Sequence, residues 1–292
     1  EAALKLMRLR GLSKSETKTG IICIENNWHG RTMGAQLMSS NPEQRKWIGD
    51  LDFDVYHIPF PYPWELDCDG SEFFDRSMLA LESKGVSFSR DIAGVMLETF
   101  QGWGAIFYPK QYISDMRKFC DKHDILLCFD EMQAGFARTG KKFGYEHYDV
   151  KADLLCVGKG MGGGLPLSGV IGCREVMDLP PVGAMSSTHS ANPLACYAGL
   201  AVLDEIDDRN LVERAEILGK KMHAQLMELT KLHPTRVSFT LGKGLIAAII
   251  FKSERGLQSE FASAVAEECY RSGVLVVHTG RESIKIGPPL TI

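Results

Sequence analysis

DLLCVGKGMGGGLPLSG, residues 153–169, runs from a short apolar stretch straight into a lysine set among six glycines. The residues after the apolar stretch decide between folds. Gly158, Gly160 and Gly163 fit G-x-G-x-x-G after a strand, the dinucleotide-binding pattern. That pattern has to open a helix, and here it meets Gly164, Leu165 and Pro166, which oppose one. A P-loop fits no better, because Lys159 precedes most of the glycines instead of closing the run ahead of Ser or Thr. A nucleotide-binding oxidoreductase is therefore a weak rival.

Outward from this stretch, short apolar runs alternate with segments of helical period. The runs are GIICIEN (20–26), IAGVMLE (92–98), ILLCFDE (125–131), LLCVGK (154–159) and SGVIGC (168–173). Such alternation predicts an α/β fold, a mostly parallel sheet flanked by helices, with ligands at the carboxyl ends of the strands. Pro109 to His123 and Asn192 to Asp208 read as helices, each with a proline at or near the first turn. From about Val212 the pattern changes: an amphipathic stretch to Lys231, GLIAAIIF (244–251), a helix around Gln258 to Arg271 and a strand VLVV (274–277). This predicts a large domain over 1–208 and a smaller C-terminal α+β domain over 209–292, hinged near 205–230. Asn41 to Asp69, rich in proline, aromatics and acids, reads as a surface excursion.

Composition narrows the function classes. Of 292 residues, 45% are hydrophobic and 24% charged, and no apolar run reaches membrane-spanning length, so a soluble enzyme or binding protein is expected. The net charge of −4 is spread along the chain without a basic tract, which argues against nucleic acid as a partner. Eight cysteines form no C-x-x-C pair, as expected for a reducing, cytoplasmic setting without a structural metal. The chain opens on EAALKLMRLRG, already inside a helical pattern and without a cap, so residue 1 is not expected to be a natural start.

A second constellation, FDEMQ, ends the run that begins at Ile125 and places Asp130 29 residues before Lys159. Two strand ends in one sheet bring a carboxylate and a lysine to one crevice. Singly, such an Asp is more often a cap and such a Lys more often solvated; jointly they are harder to dismiss. Pyridoxal phosphate needs both, a lysine for a Schiff base and a carboxylate that keeps the ring nitrogen protonated so that the ring acts as an electron sink.

CFDEMQAGFARTGKKFGYEHYDVKADLLCVGKGMGGGLPLSGVIG resembles the D-E-x-Q, G-x-x-R-T-G and G-K-G segments of class III (ω-type) pyridoxal-phosphate aminotransferases of fold type I. The likeness extends over nearly the whole chain. It implies that Asp130 pairs with the pyridinium nitrogen, Gln133 lies near the ring hydroxyl and Lys159 forms the Schiff base. NNWHGRTMG resembles the family's aromatic-H-G-R-T stretch, which implies that Trp28 covers the ring and Arg31 reaches substrate; His29 reads more readily as a structural histidine. SSTHSANPLACYAGLAV resembles a segment whose threonine, here Thr188 with Ser187 beside it, reaches the cofactor phosphate of a neighbouring subunit, although a helix cap fits the same residues. That likeness implies a homodimer with shared sites. The family's phosphate cup would fall before residue 1.

Two departures bear on substrate. Trp103 stands where many members have a second acid after Glu98, and Lys285 stands where relatives acting on amino acids have an arginine. A lysine attracts a carboxylate only as a point charge, and an indole offers a flat apolar face. These substitutions favour a primary amine, polyamine, amino sugar or ω-amino acid as donor to an oxo acceptor, by ping-pong transfer. Decarboxylation, amino-shift and phosphate elimination on the same cofactor are the alternatives, and a catalytically idle binding protein is a more distant one.

Overall fold

The computed structural model describes residues 1–49, 51, 53–252 and 259–292. The strands are β1 (Gly20–Ile24), β2 (Val55–Ile58), β3 (Ile92–Glu98), β4 (Phe100–Gln101), β5 (Ile106–Phe107), β6 (Leu126–Asp130), β7 (Leu154–Val157), β8 (Gly169–Gly172), β9 (Val237–Lys243), β10 (Ile246–Phe251), β11 (Val277–His278) and β12 (Ser283–Ile286). Two compact units emerge: Glu1–Thr99 with Tyr108–Met132 and Tyr145–Gly199, and Phe100–Phe107 with Gln133–Gly144 and Leu200–Ile292.

The first unit holds a six-stranded sheet in the order β2-β1-β3-β6-β7-β8. All neighbours are parallel except β7 and β8. Every residue of β1, β3 and β6 is buried, the signature of strands covered on both faces. Helix Ala2–Leu12 buries Leu4, Leu6 and Met7, and Met7 lies so close over Gly94 of β3 that a Cβ there would collide with its sulfur. Helix Lys110–His123 buries Tyr112, Ile113, Met116 and Cys120 on one stripe and stops at Asp124, whose φ of 52° is left-handed. Strand β8 turns back antiparallel because 158–168 contains only a short 3₁₀ turn, too little for the crossover helix that a parallel return requires.

The stretch 41–69 is more than a surface excursion, since Val55–Ile58 pairs in parallel with β1 as the sheet edge. Its residues are mostly half-buried, so VYHI lacks the continuous apolar run that announced the inner strands. Within it, His57 donates from Nε2 to the Met38 carbonyl at 3.1 Å, and burial lowers its pKa to about 4. Near pH 7 both folded and unfolded states are neutral. Between about pH 6.5 and 4 the unfolded chain takes up a proton that the folded state resists, so stability falls by about 2 kcal/mol by pH 5. Urea unfolding at pH 7 and pH 5 should show this loss, and His57→Gln should reduce it; an equal loss in both proteins would assign the acid sensitivity elsewhere.

The second unit holds an antiparallel sheet in the order β11-β12-β10-β9 and the small β4-β5 hairpin. Val237, Ile249, Phe251, Ala262 and Ile284 form a core with apolar residues of helices Leu211–Leu232 and Ser259–Arg271. The helix start expected at Gln258 lies outside the described residues. The strand expected at 274–277 is shifted, with pairing at Val277–His278 and again at Ser283–Ile286. Among the described residues no helix is long and apolar enough to cross a membrane.

Candidate active site

The first unit assembles a candidate site at the carboxyl ends of three adjacent parallel strands. Asp130 closes β6, with Glu98 opposite it on β3 and Cys156 opposite it on β7. Its Oδ1 accepts from the Met132 backbone N–H at 3.0 Å, and its Oδ2 meets His29 Nδ1 at 2.9 Å. Both side chains are shielded, at 8% and 2% exposure. A carboxylate takes a hydrogen bond only from N–H, so Nδ1 carries the proton; Nε2 is buried without a hydrogen-bond partner among the described residues. His29 is thus fixed toward Asp130 and stands inside the site. The signal for it was the histidine directly after Trp28, but no local pattern says what that ring meets.

Residues 26–30 leave β1 and lie over these strand ends. The Trp28 backbone N–H donates to Glu98 Oε2 at 2.9 Å, and the His29 N–H donates to Ser39 Oγ at 2.9 Å. The Arg31 guanidinium stacks 4.8 Å from the Trp28 ring centre. Glu131 turns away into a wholly buried structural role, accepting from Thr99 Oγ1 and from the Tyr145 N–H.

Lys159 comes two residues after β7 and opens a 3₁₀ turn over Lys159–Gly162 that ends at left-handed Gly163. No α-helix forms there, which disposes of the dinucleotide pattern. Lys159 itself has φ of 49°, a conformation that disfavours side chains by about 1–2 kcal/mol, and it is exposed. Strain of this kind at a strand end is characteristic of functional positions. Ser187 and Thr188 lie exposed in the loop before helix Pro193–Asp208. That helix is capped by Asn192, whose Oδ1 accepts from the N–H groups of Leu194 at 2.9 Å and Ala195 at 3.4 Å, so the capping alternative for Thr188 falls away.

In the second unit, Lys285 on β12 donates from Nζ to Gln133 Oε1 at 2.8 Å. Trp103, in the turn between β4 and β5, donates from Nε1 to Gln101 Oε1 at 2.7 Å, and its carbonyl accepts from Ser283 Oγ at 2.8 Å. The apolar face expected to be open is stacked against Arg281, whose Cζ lies 3.9 Å from the ring centre. The expected residues thus form two groups, Trp28, Arg31, Asp130, Lys159, Ser187 and Thr188 in the first unit and Trp103, Gln133 and Lys285 in the second.

The family model for Aminotransferase class-III matches residues 1–292. The chain belongs to the class III aminotransferases. Among curated members of the family, it is 31% identical to the mitochondrial acetylornithine aminotransferase of Candida glabrata and 34% identical to ornithine aminotransferase 1 of Staphylococcus aureus, in each case over its full length. It spans 64% and 68% of those relatives. Among solved class III structures, the amine transaminase of an uncultivated Pseudomonas species, determined with PLP bound, superposes with a TM-score of 0.89 at 30% identity, covering 100% of this chain and 70% of that one. The fold is that of fold type I transaminases, as the family resemblance implied, and its mostly parallel sheet is the one the alternating runs predicted. Pyridoxal phosphate is the cofactor of this family, and the site suits it: Asp130 is a buried carboxylate with no lysine or arginine pairing to it among the described residues, a costly arrangement that a pyridinium N–H would relieve.

Proposed function

We propose that this class III aminotransferase transfers an amino group from an amine donor whose reacting carbon bears no carboxylate to an oxo acceptor, in two half-reactions on one site. The observation that carries the reading is the register Asp130–Cys156, which brings the buried carboxylate and the Lys159 turn to the ends of neighbouring parallel strands. Bound pyridoxal phosphate supplies the electron sink for the pair left at the substrate carbon. Asp130 would hold the cofactor's ring nitrogen protonated, and His29 and the Met132 N–H hold Asp130 in place. Lys159 takes the proton from the substrate carbon and returns it during transfer, as base and then acid. By the family resemblance, Trp28 would cover the ring and Arg31 would reach substrate, while Gln133 would serve the ring hydroxyl and Trp103 and Lys285 would meet substrate.

Supporting the donor class are the replacement of an acid by Trp103 and of an arginine by Lys285, together with the likeness to an amine transaminase. The test is a screen of primary amines, polyamines, amino sugars and ω-amino acids against the cofactor-loaded protein, read as conversion of the cofactor absorption from its aldehyde to its amine form. Conversion should occur and be reversed by an oxo acid. Release of carbon dioxide or phosphate without conversion would instead establish one of the other cofactor chemistries.

We further propose a homodimer in which Ser187 and Thr188 donate to the phosphate bound by the partner subunit. Leu194, Tyr197 and Leu200 are exposed at spacings of three on one helix, and Val182 is exposed just upstream, an apolar surface that association would cover. A phosphate dianion needs several donors to replace its hydration. Thr188→Ala should weaken cofactor binding roughly tenfold to a hundredfold, the range for a hydrogen bond to a charged group. Sedimentation with and without cofactor should show a dimer. A monomer that binds cofactor tightly and ignores Thr188→Ala would refute both the interface and this role.

A further inference from the structure

Helices Leu211–Leu232 and Ser259–Arg271 do not close completely over their sheet. Between them and strands β9, β10 and β12 lies a cavity of about 410 Å³, inside the range of small-molecule sites, about 300–1,000 Å³. Its walls are almost wholly apolar: Leu226 and Leu229 from the first helix, Phe261 and Val265 from the second, Ile249 and Ile284 from the sheet. All of its lining residues belong to the second unit. Protein interiors leave few voids larger than a water molecule, and apolar walls offer water no hydrogen bonds. A space of this size and lining suits an apolar guest.

The two ends of the cavity differ. At one end, the turn after the first helix contributes the basic side chains of His233 and Arg236, and among the described residues no acidic side chain lines the cavity. Arg236 is exposed, lies over the Phe261 ring with Cζ 5.5 Å from its centre, and has no ion-pair partner among the described residues. At the other end, Cys269, a partly exposed free thiol, and Val274, more than half exposed, open to the surface. Along β10, Phe251 pairs with Val237 and Ala247 with Ile286, which separates the two ends by about 13 Å.

We propose that this cavity binds a medium-chain aliphatic carboxylate, with its tail between the two helices and its carboxylate on Arg236. The site is independent of amino transfer. Each methylene that leaves water for the apolar walls strengthens binding about fourfold, so the tail supplies most of the affinity. Arg236 supplies the preference for an anion: its planar donor fork matches a carboxylate, and Phe261 is its platform at the rim.

The test is calorimetric titration of the cofactor-loaded protein with hexanoate, octanoate and decanoate below their micelle-forming concentrations, and with decanol, beside the rate at which an alkylating reagent modifies Cys269. Affinity should rise about fourfold per added methylene at one molecule per chain, and decanoate should bind severalfold tighter than decanol and protect Cys269. Arg236→Gln should erase the difference between decanoate and decanol and leave decanol binding unchanged. Val265→Trp, which fills the space, should abolish binding of both; where circular dichroism shows that it does not fold, Arg236→Gln decides alone. Absence of saturable binding by the parent, equal weakening of decanoate and decanol in Arg236→Gln, or decanoate binding that survives in folded Val265→Trp would each overturn the proposal. Protection of Cys269 that follows protein concentration and not decanoate would identify a second copy of the chain as the occupant, and would overturn it as well.

Discussion

Borohydride reduction of the cofactor-loaded protein is expected to leave a phosphopyridoxyl group on Lys159 alone, and Lys159→Ala is expected to lose that label together with roughly four orders of magnitude in amino transfer, the upper range for a positioned acid–base group. The fold explains why this lysine and not another. Lys159 leaves β7 beside Asp130, in a turn bounded by Gly158 and left-handed Gly163, where flanking glycines let backbone approach a ligand closely. Lys141, Lys142 and Lys243 belong to the other unit, and Lys142 pairs with Asp207. Because Lys159 itself sits at φ of 49° and is exposed, its truncation removes no buried contact and should leave unfolding of the cofactor-free protein within about 1 kcal/mol of the parent. Lost activity with intact stability therefore reads as lost chemistry. Peptide mapping that finds the label on Lys141, Lys142 or Lys243 would overturn the assignment.

Asp130→Asn should retain the fold and slow proton abstraction from substrate by several orders of magnitude, roughly 10³-fold or more if the charge opposite the ring nitrogen is removed from a shielded site. The surroundings predict a structural cost as well. Asp130 accepts from both the Met132 N–H and His29 Nδ1, and an amide has only one oxygen. His29 could answer its new amide N–H only by moving its own proton to Nε2, which is buried with no acceptor among the described residues. One donor is left unpaired on either course, at about 1–3 kcal/mol. Denaturant unfolding should therefore show a modest loss beside a very large kinetic one, measured as the half-reaction with amine donor. Near-normal turnover in Asp130→Asn would show that another group holds the ring proton. His29→Leu, which leaves the carboxylate charge in place, should slow the same step far less.

Much of this protein is legible along the chain. Strands β1, β3, β6 and β7 are legible because a parallel strand covered on both faces has to be a continuous apolar run, and Asp130 and Lys159 are legible because each comes at the end of such a run. The glycines after Lys159 and the proline at 166 already argued against a nucleotide-binding helix, and the 3₁₀ turn agrees. Edge strand β2 and the polar SIKI of β12 are not legible, since half-buried positions leave alternation too weak to distinguish from loop. The partners of the site residues are the other part. His29 meets Asp130 across 101 positions of chain, Lys285 meets Gln133 across 152, and Arg281 lies on Trp103 from the far end of the sequence. The residue types are local facts of the sequence, fixed by what each strand must bury. Which carboxylate a histidine faces, and which amide or ring a cation meets, depends on how distant segments pack within each unit, and only the packed chain decides that.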